Sequence, residues 1–183
     1  MRRLFLITAA LLSTLIIVAD NKKDELVDGK FKISGVTGLN LSQSAQTNWA
    51  AGGENSLAGT AYLNGSALRK SGNWLWENHL ILEYGLTKTK TNGTRKVGDK
   101  IDFSTKLGYS TNGVWYYTGM ADFKTQFDKG YNYTNHGKGT YISKLMAPAY
   151  SNISLGMEYR KSWYSLYLSP IAGKLTFVQD DYL

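Results

Sequence analysis

Residues 74–86 read Trp-Leu-Trp-Glu-Asn-His-Leu-Ile-Leu-Glu-Tyr-Gly-Leu, and the expected fold can be worked out from them. Every second residue from the first Trp is large and apolar or aromatic, and only Asn78 interrupts the row. The alternate positions carry Glu77, His79 and Glu83. Strict alternation with period two predicts a β-strand whose two faces meet different surroundings. About ten alternating residues with aromatic side chains at both ends is also the profile of a strand that crosses an outer membrane.

The same alternation recurs in six other segments and predicts an antiparallel, up-and-down sheet of seven strands. The predicted strands are Ile33–Gln43, Leu57–Arg69, Trp74–Leu86, Ile101–Ser110, Val114–Phe127, 152–160 and Trp163–Ser169. Short connections at 71–72, 111–113 and 161–162 alternate with long ones at 44–56, 87–100 and 128–149. This alternation is typical of barrels with tight periplasmic turns and longer outer loops. Turn length and face parity agree if Arg69 pairs with Trp74, Tyr109 with Trp115 and Tyr159 with Tyr164.

The polar face of the predicted strands mixes acidic and basic residues, which suits a barrel interior better than a surface in bulk water. We predict a polar network in this interior, the lumen, made by Glu77, His79, Glu83, Asp102, Lys106, Asp122, Lys124, Glu158 and Arg160. Aromatic residues recur near the short turns, as in the girdle that marks a membrane interface. The alternative is a soluble exported sandwich or barrel, whose apolar face would pack on a second sheet or core.

The amino-terminal segment has the pattern of a secretory signal peptide. Arg2 and Arg3 form a basic region and Leu4–Val18 an apolar one, so we predict a signal peptide at 1–19 and a periplasmic tail at 20–32. The net charge is +7, and removal of Arg2 and Arg3 leaves +5. The basic residues are spread along the chain, which argues against a nucleic-acid partner. The absence of Cys excludes disulfides, thiolate catalysis and Cys-bound metal.

Several ordered motifs resemble an outer-membrane β-barrel family of Bacteroidetes that is known only as a domain of unknown function. They are Thr47–Ser56, Trp74-x-Trp76, Tyr84–Leu86, Asp99–Asp102, Lys106–Tyr109, Trp115–Tyr117, Phe123–Phe127, Gly130–Tyr131, Leu145–Tyr150 and Leu168–Pro170. The resemblance covers nearly all of the mature chain, 20–183, and implies an outer-membrane barrel. It implies no activity and no catalytic residue.

The carboxyl-terminal end departs from this pattern. Seven strands is an odd number, whereas bacterial single-chain barrels close with an even one. Family members also continue well past Leu175–Val178. We therefore expect the barrel within 33–183 to be incomplete at its carboxyl terminus, with further closing strands.

Few residues suggest chemistry. His79 lies between Glu77 and Glu83 on one face, and His136 follows Asp128 in a long loop, so a metal or acid–base site is conceivable at either histidine. A polar network and a solvated loop explain them more simply. Trp49, Tyr131 and Tyr133 are candidate ligand contacts in the long loops. We assign no catalytic residue, metal or cofactor.

We therefore expect an integral outer-membrane β-barrel, structural or a narrow pore, with no enzymatic activity. Its expected partners are outer-membrane lipid and lipopolysaccharide, periplasmic chaperones and the barrel-assembly machinery. The alternatives are a soluble exported β-protein that binds carbohydrate, and a barrel enzyme that uses His79 or His136.

Overall fold

The computed structural model describes residues 9–20, 26–46, 54–110, 112–134 and 137–180. This part of the chain contains ten β-strands and no helix. The strands are β1 (Ala9–Asp20), β2 (Phe31–Ala45), β3 (Ser56–Ser71), β4 (Trp74–Thr89), β5 (Gly93–Tyr109), β6 (Trp115–Thr125), β7 (Gly130–Thr134), β8 (Gly137–Ser143), β9 (Ala149–Lys161) and β10 (Tyr164–Phe177). Eight strands form one sheet in the order β1-β2-β3-β4-β5-β6-β9-β10, and β7 and β8 form a separate hairpin.

The predicted fold class is confirmed as an all-β, antiparallel sheet in which chain neighbours pair. The seven predicted strands correspond to β2–β6, β9 and β10, in the predicted order. No ladder joins β1 to β10 among the described residues, so the sheet is open. An open sheet agrees with the expectation of an incomplete barrel.

The eighth strand of the sheet lies in the predicted signal peptide and the start of the tail. Ala9–Asp20 pairs with β2, from Ala9 opposite Ala45 to Asp20 opposite Ser34. Cleavage after Ala19 would remove nearly all of β1, and this pairing does not test the cleavage, which stays a prediction.

Two of the predicted long loops were wrong in part, because the strands extend beyond the alternating segments. The connection predicted at 87–100 is mostly β-ladder: Thr89 pairs with Gly93, and only three residues form the turn. Val97 is an extra residue that shifts the register between Gly85 and Leu86, and this bulge broke the alternation on which the prediction depended. The connection at 128–149 contains the β7–β8 hairpin.

The predicted pairings have the right face but the wrong register. Each observed pair is displaced by two residues: Arg69 faces Trp76, Tyr109 faces Tyr117, and Leu166 faces Tyr159. The first turn uses Gly72 and Asn73, with Gly72 at a φ of 55°, a conformation that glycine adopts readily at this position. In the second, the side chain of Asn112 accepts hydrogen bonds from the amides of Val114 and Trp115 and holds a wider loop.

The last strand is longer than predicted because a bulge keeps its apolar side chains on one face. Before Ser169 and Pro170 the outward positions are even-numbered, and after them they are odd-numbered, since Leu168 pairs with Met157 and Ile171 with Leu155. The Ser169 hydroxyl oxygen lies 3.0 Å from the carbonyl oxygen of Leu155 and 2.7 Å from that of Ile171, and its single proton is shared between these two acceptors. Proline is tolerated here because a bulge leaves one amide out of the ladder.

Burial in this sheet is the reverse of that in a soluble domain. Among residues 26–46, 54–110, 112–133 and 139–180, whose side chains the structure describes, only Leu75, Ala147 and Ala149 are buried apolar residues, whereas Glu158 is only 2% exposed. The outward face carries many exposed large apolar side chains, for example Leu155 at 53% exposed and Leu166 at 53%. The described sheet therefore has its charges on the concave side and its apolar groups outside.

We predict that Gly156→Ala destabilises the fold while Gly173→Ala does not. A Cβ at residue 156 would lie 2.1 Å from the carbonyl oxygen of Leu168, at the bulge, whereas a Cβ at residue 173 meets nothing within 4 Å. Forcing backbone apart in this way typically costs about 1–3 kcal/mol. Urea unfolding followed by tryptophan fluorescence measures the difference, and equal midpoints for the two variants would contradict the close approach.

Candidate functional site

Four charged side chains meet on the concave face of the sheet, and we call them the charge cluster: Glu77 on β4, Lys106 on β5, and Glu158 and Arg160 on β9. Glu77 and Lys106 are directly opposite each other in the β4–β5 ladder. Lys106 Nζ lies 2.7 Å from Glu77 Oε2 and 3.1 Å from Glu158 Oε1. The lysine therefore joins the carboxylates of two strands that are not neighbours in the sheet.

Arg160 makes the contact that spans the most strands in the cluster, from β9 to Glu77 on β4. Its Nη1 and Nη2 donate to the two carboxylate oxygens of Glu77 at 2.8 and 2.7 Å, and Nη2 also donates to Glu158 Oε1 at 2.9 Å. A two-pronged arginine–carboxylate pair is among the strongest and most directional polar contacts in proteins. Because β5 and β6 lie between the two strands, this contact requires the sheet to curve strongly around its concave side.

A cavity of about 680 Å³ lies against the charge cluster at the short-turn end of the sheet. Its lining includes Glu77, Lys106 and Arg160, together with His79 and the turn residues Lys161 and Ser162. His79 is exposed and shares the concave face with Glu77. Its neighbours in the cavity are thus the ion-paired side chains of the charge cluster.

The remaining predicted network residues lie on the same face in smaller groups. Asp102 Oδ2 lies 3.2 Å from Lys100 Nζ and 3.7 Å from Lys124 Nζ. Asp122 accepts a hydrogen bond from the Asn152 side-chain amide at 2.7 Å. Glu83 stands beside Gly98, where its Oε1 occupies the space of a Cβ at that position. The predicted residues therefore share a face but do not form one continuous network.

Sequence reasoning missed Lys100, Tyr116 and Arg95. Lys100 pairs with Asp102, and the Arg160 guanidinium carbon lies 5.8 Å from the centre of the Tyr116 ring. Lys100 was placed in a predicted loop, and the role of Tyr116 depends on sheet curvature, for which the sequence carries no simple signal.

The loops at the end of the sheet opposite the short turns hold the candidate ligand contacts. Tyr131 and Tyr133 lie on β7 with ring centres 6.3 Å apart, and the Arg95 guanidinium carbon lies 4.7 Å from the Tyr133 ring centre. The β7–β8 hairpin is therefore packed on the β4–β5 hairpin by a cation–π contact. Trp49 and His136 lie outside the described residues.

The Glu54 carboxylate organises the end of the sheet opposite the short turns, which we call the outer rim. Glu54 accepts hydrogen bonds from the Thr91 amide at 2.9 Å and the Asn92 side-chain amide at 3.0 Å. The donors at Thr91, more than those at Thr89 and Asn92, lower the pKa of Glu54 from 4.5 to about 2. Glu54 thus stays ionised and fixes the turn between β4 and β5.

Aromatic side chains form a band at the short-turn end of the outward face. Ring contacts at centre distances of 4.4–5.7 Å link Phe31 to Trp76, Trp74 to Tyr109, Trp115 to Tyr159, and Tyr164 to both Tyr159 and Trp163. Most of these rings are substantially exposed, with Trp163 at 79%. The band lies where the sequence predicted a girdle.

The contacts made by the charge cluster are ion pairs and hydrogen bonds. No group of three or more His, Asp or Glu residues there has the arrangement of a metal site. Within the same residues, no helix is long and apolar enough to cross a membrane.

Comparison with known proteins gives a family match for half of the sheet. Residues 41–131 match a family model described as "Protein of unknown function (DUF3078)". The matched segment runs from β2 to the start of β7 and includes Glu77 and Lys106, but it stops short of Glu158 and Arg160. No curated protein and no solved structure matches the chain significantly. The expected domain of unknown function is confirmed for this segment.

We predict that Arg160→Gln destabilises the sheet more than Lys100→Gln. The arginine change removes hydrogen bonds to two carboxylates and leaves the buried Glu158 with Lys106 alone, at a cost of about 1.5–3 kcal/mol per lost charged bond. The Lys100 side chain is 46% exposed, and such a pair contributes less than about 1 kcal/mol. Chemical denaturation measures both costs, and equal values would show that the cluster contributes no more than a surface pair.

Proposed function

We propose that this chain is an integral outer-membrane β-barrel protein whose concave face lines a narrow, charged lumen. The observation that carries the proposal is the reversed polarity of the sheet, with buried Glu158 inside and exposed Leu155 and Leu166 outside. In water this arrangement would expose a large apolar surface and desolvate charges. In a bilayer the same surface faces hydrocarbon, and the backbone groups are satisfied by the ladders.

The dimensions of the apolar face support a membrane position. On β4 the outward residues run from Trp74 to Leu86, and the next outward residue is Lys88. About 9–11 tilted residues span the hydrocarbon core, so this row is long enough. The aromatic band at one end suits the interface, where amphipathic rings lie between hydrocarbon and water.

The proposal extends to export and assembly. The predicted signal peptide at 1–19 and the resemblance to a Bacteroidetes outer-membrane family support secretion to the periplasm and insertion by the barrel-assembly machinery. Lipid and lipopolysaccharide would then be the surroundings of the outward face. We propose no catalytic role for His79, whose neighbours in the cavity are the ion-paired Glu77, Lys106 and Arg160.

Leu155→Arg and Leu57→Arg test the membrane position. Leu155 lies mid-strand between Gly119 and Ile171, whereas Leu57 lies at the outer rim between Gln43 and Lys88, and the two are 53% and 57% exposed. In a bilayer, Arg near the midplane costs about 2–4 kcal/mol and Arg near the interface about 0–1 kcal/mol. In water, both changes would be nearly neutral. Urea unfolding from liposomes measures the difference.

The wild-type chain provides the complementary measurement. We expect the mature chain to insert into liposomes and to show heat-modifiable mobility in detergent gels. A folded monomer in plain buffer that leaves liposomes untouched would contradict the proposal, as would equal costs for the two arginine variants.

A further inference from the structure

The charge cluster lies across the path that a lumen would take. Arg160 on β9 reaches Glu77 on β4 over the concave side of β5 and β6, and Lys106 fills the space between the two carboxylates. The Tyr116 ring lies beside the guanidinium. Because the sheet curves enough for Arg160 on β9 to reach Glu77 on β4, its concave side is narrow, comparable to the interior of a barrel of about eight strands, which side chains can fill. Four long side chains joined across such an interior leave little room for hydrated ions.

The cavity beside the cluster shows from which end of the sheet water reaches the charge cluster. Its lining includes the turn residues Gly113, Lys161 and Ser162, so it opens at the short-turn end. Glu77, Lys106 and Arg160 form its inner lining. Water can therefore reach the cluster from this vestibule at the short turns.

The bonding pattern of the cluster allows it to open without unfolding a strand. Each basic group contacts both carboxylates, since Lys106 and Arg160 each reach Glu77 and Glu158. Two acids and two bases cancel in charge, so the closed cluster attracts neither kind of ion. Arg160 is 25% exposed and Lys106 is 23%, so both can exchange a carboxylate for water at the vestibule.

We propose that the charge cluster is a gate for ion conduction through the lumen, closed by the contact between Arg160 and Glu77. This inference rests on the proposed membrane-spanning function. When the contact breaks, the four side chains separate toward their own strands and small hydrated ions pass. The charges that remain on the wall then determine which ions pass.

Planar-bilayer recording of the mature chain tests the gate with two opposite variants. Glu77→Gln leaves two bases and one acid at the gate, so we expect more opening with a preference for anions. Arg160→Gln leaves two acids and one base, so we expect more opening with a preference for cations. A rise of roughly tenfold in the open fraction corresponds to a loss of about 1.4 kcal/mol of closing free energy. Under a potassium chloride gradient, the reversal potentials should shift in opposite directions.

Two further variants separate the gate from general damage. The double variant Glu77→Gln/Arg160→Gln leaves Lys106 with Glu158, so it should open with no added ion preference. Arg160→Lys keeps the charge and should alter opening without reversing selectivity, which keeps the test valid if Arg160→Gln does not fold. Glu54→Gln is the control: it removes one negative charge at the outer rim and should conduct like the wild type.

Heat-modifiable gel mobility, measured on the same samples as the sign of membrane insertion, distinguishes a failure of the gate from a failure of the membrane proposal. If wild type and variants all insert but none conducts, or if the wild type conducts as freely as the variants, the gate is wrong and the membrane proposal stands. Shifts of reversal potential in the same direction for both single variants also overturn the gate. If the wild type does not insert, both proposals fail.

Discussion

The rest of this structure depends on the strict two-residue period of its side chains. Along β2–β6, β9 and β10, one face collects most of the leucine, isoleucine and aromatic side chains while the other collects acids, bases and hydroxyls. A β-ladder satisfies the backbone whatever the faces carry, so the faces alone determine which surroundings are compatible. With Glu158 buried and Leu166 half exposed, the usual driving force of a soluble core is missing from the described sheet. Stability then has to come from ladders, from polar contacts on the concave face and from an apolar medium outside.

The sequence was sufficient to predict seven of the eight strands of the sheet, their order and the face of each residue in the alternating segments, because all three follow from periodicity. The sequence was insufficient to predict the register, that is, which residues face each other on neighbouring strands. Alternation is unchanged by a displacement of two residues, so Arg69 facing Trp74 and Arg69 facing Trp76 place the same side chains outside. The bulges at Val97 and at Ser169–Pro170 were also missed, because each interrupts the alternation that identifies a strand. These errors shortened β5 and β10 in the prediction but moved no predicted site residue to the wrong face.

For the candidate site, too, the sequence predicted the face of each residue but not which residues meet. All four residues of the charge cluster were predicted to share the lumen, since each falls on the polar side of its strand. Their grouping was not predicted, because Glu77 and Arg160 meet only if the sheet curves across two intervening strands. Curvature arises from the twist of every strand and from bulges, and no single residue encodes it. The contact between the β4–β5 and β7–β8 hairpins could not be predicted, because Arg95 and Tyr133 lie in two segments that were both predicted as loops.

Something must nevertheless select one register among those that alternation permits. The apolar face cannot do so, because a leucine two residues away fills the same place. The concave face can: Glu77 lies opposite Lys106, and the Tyr62 ring covers Gly38, where a Cβ would lie 2.5 Å from the ring. Displacing β4 against β5 by two residues would separate the first pair, and displacing β2 against β3 would place the ring over another residue. A buried charge without its partner costs several kcal/mol, far more than a displaced leucine contact. The polar interior thus specifies the register of a sheet whose apolar exterior leaves it undetermined, and any role of the charge cluster in conduction is added to that structural one.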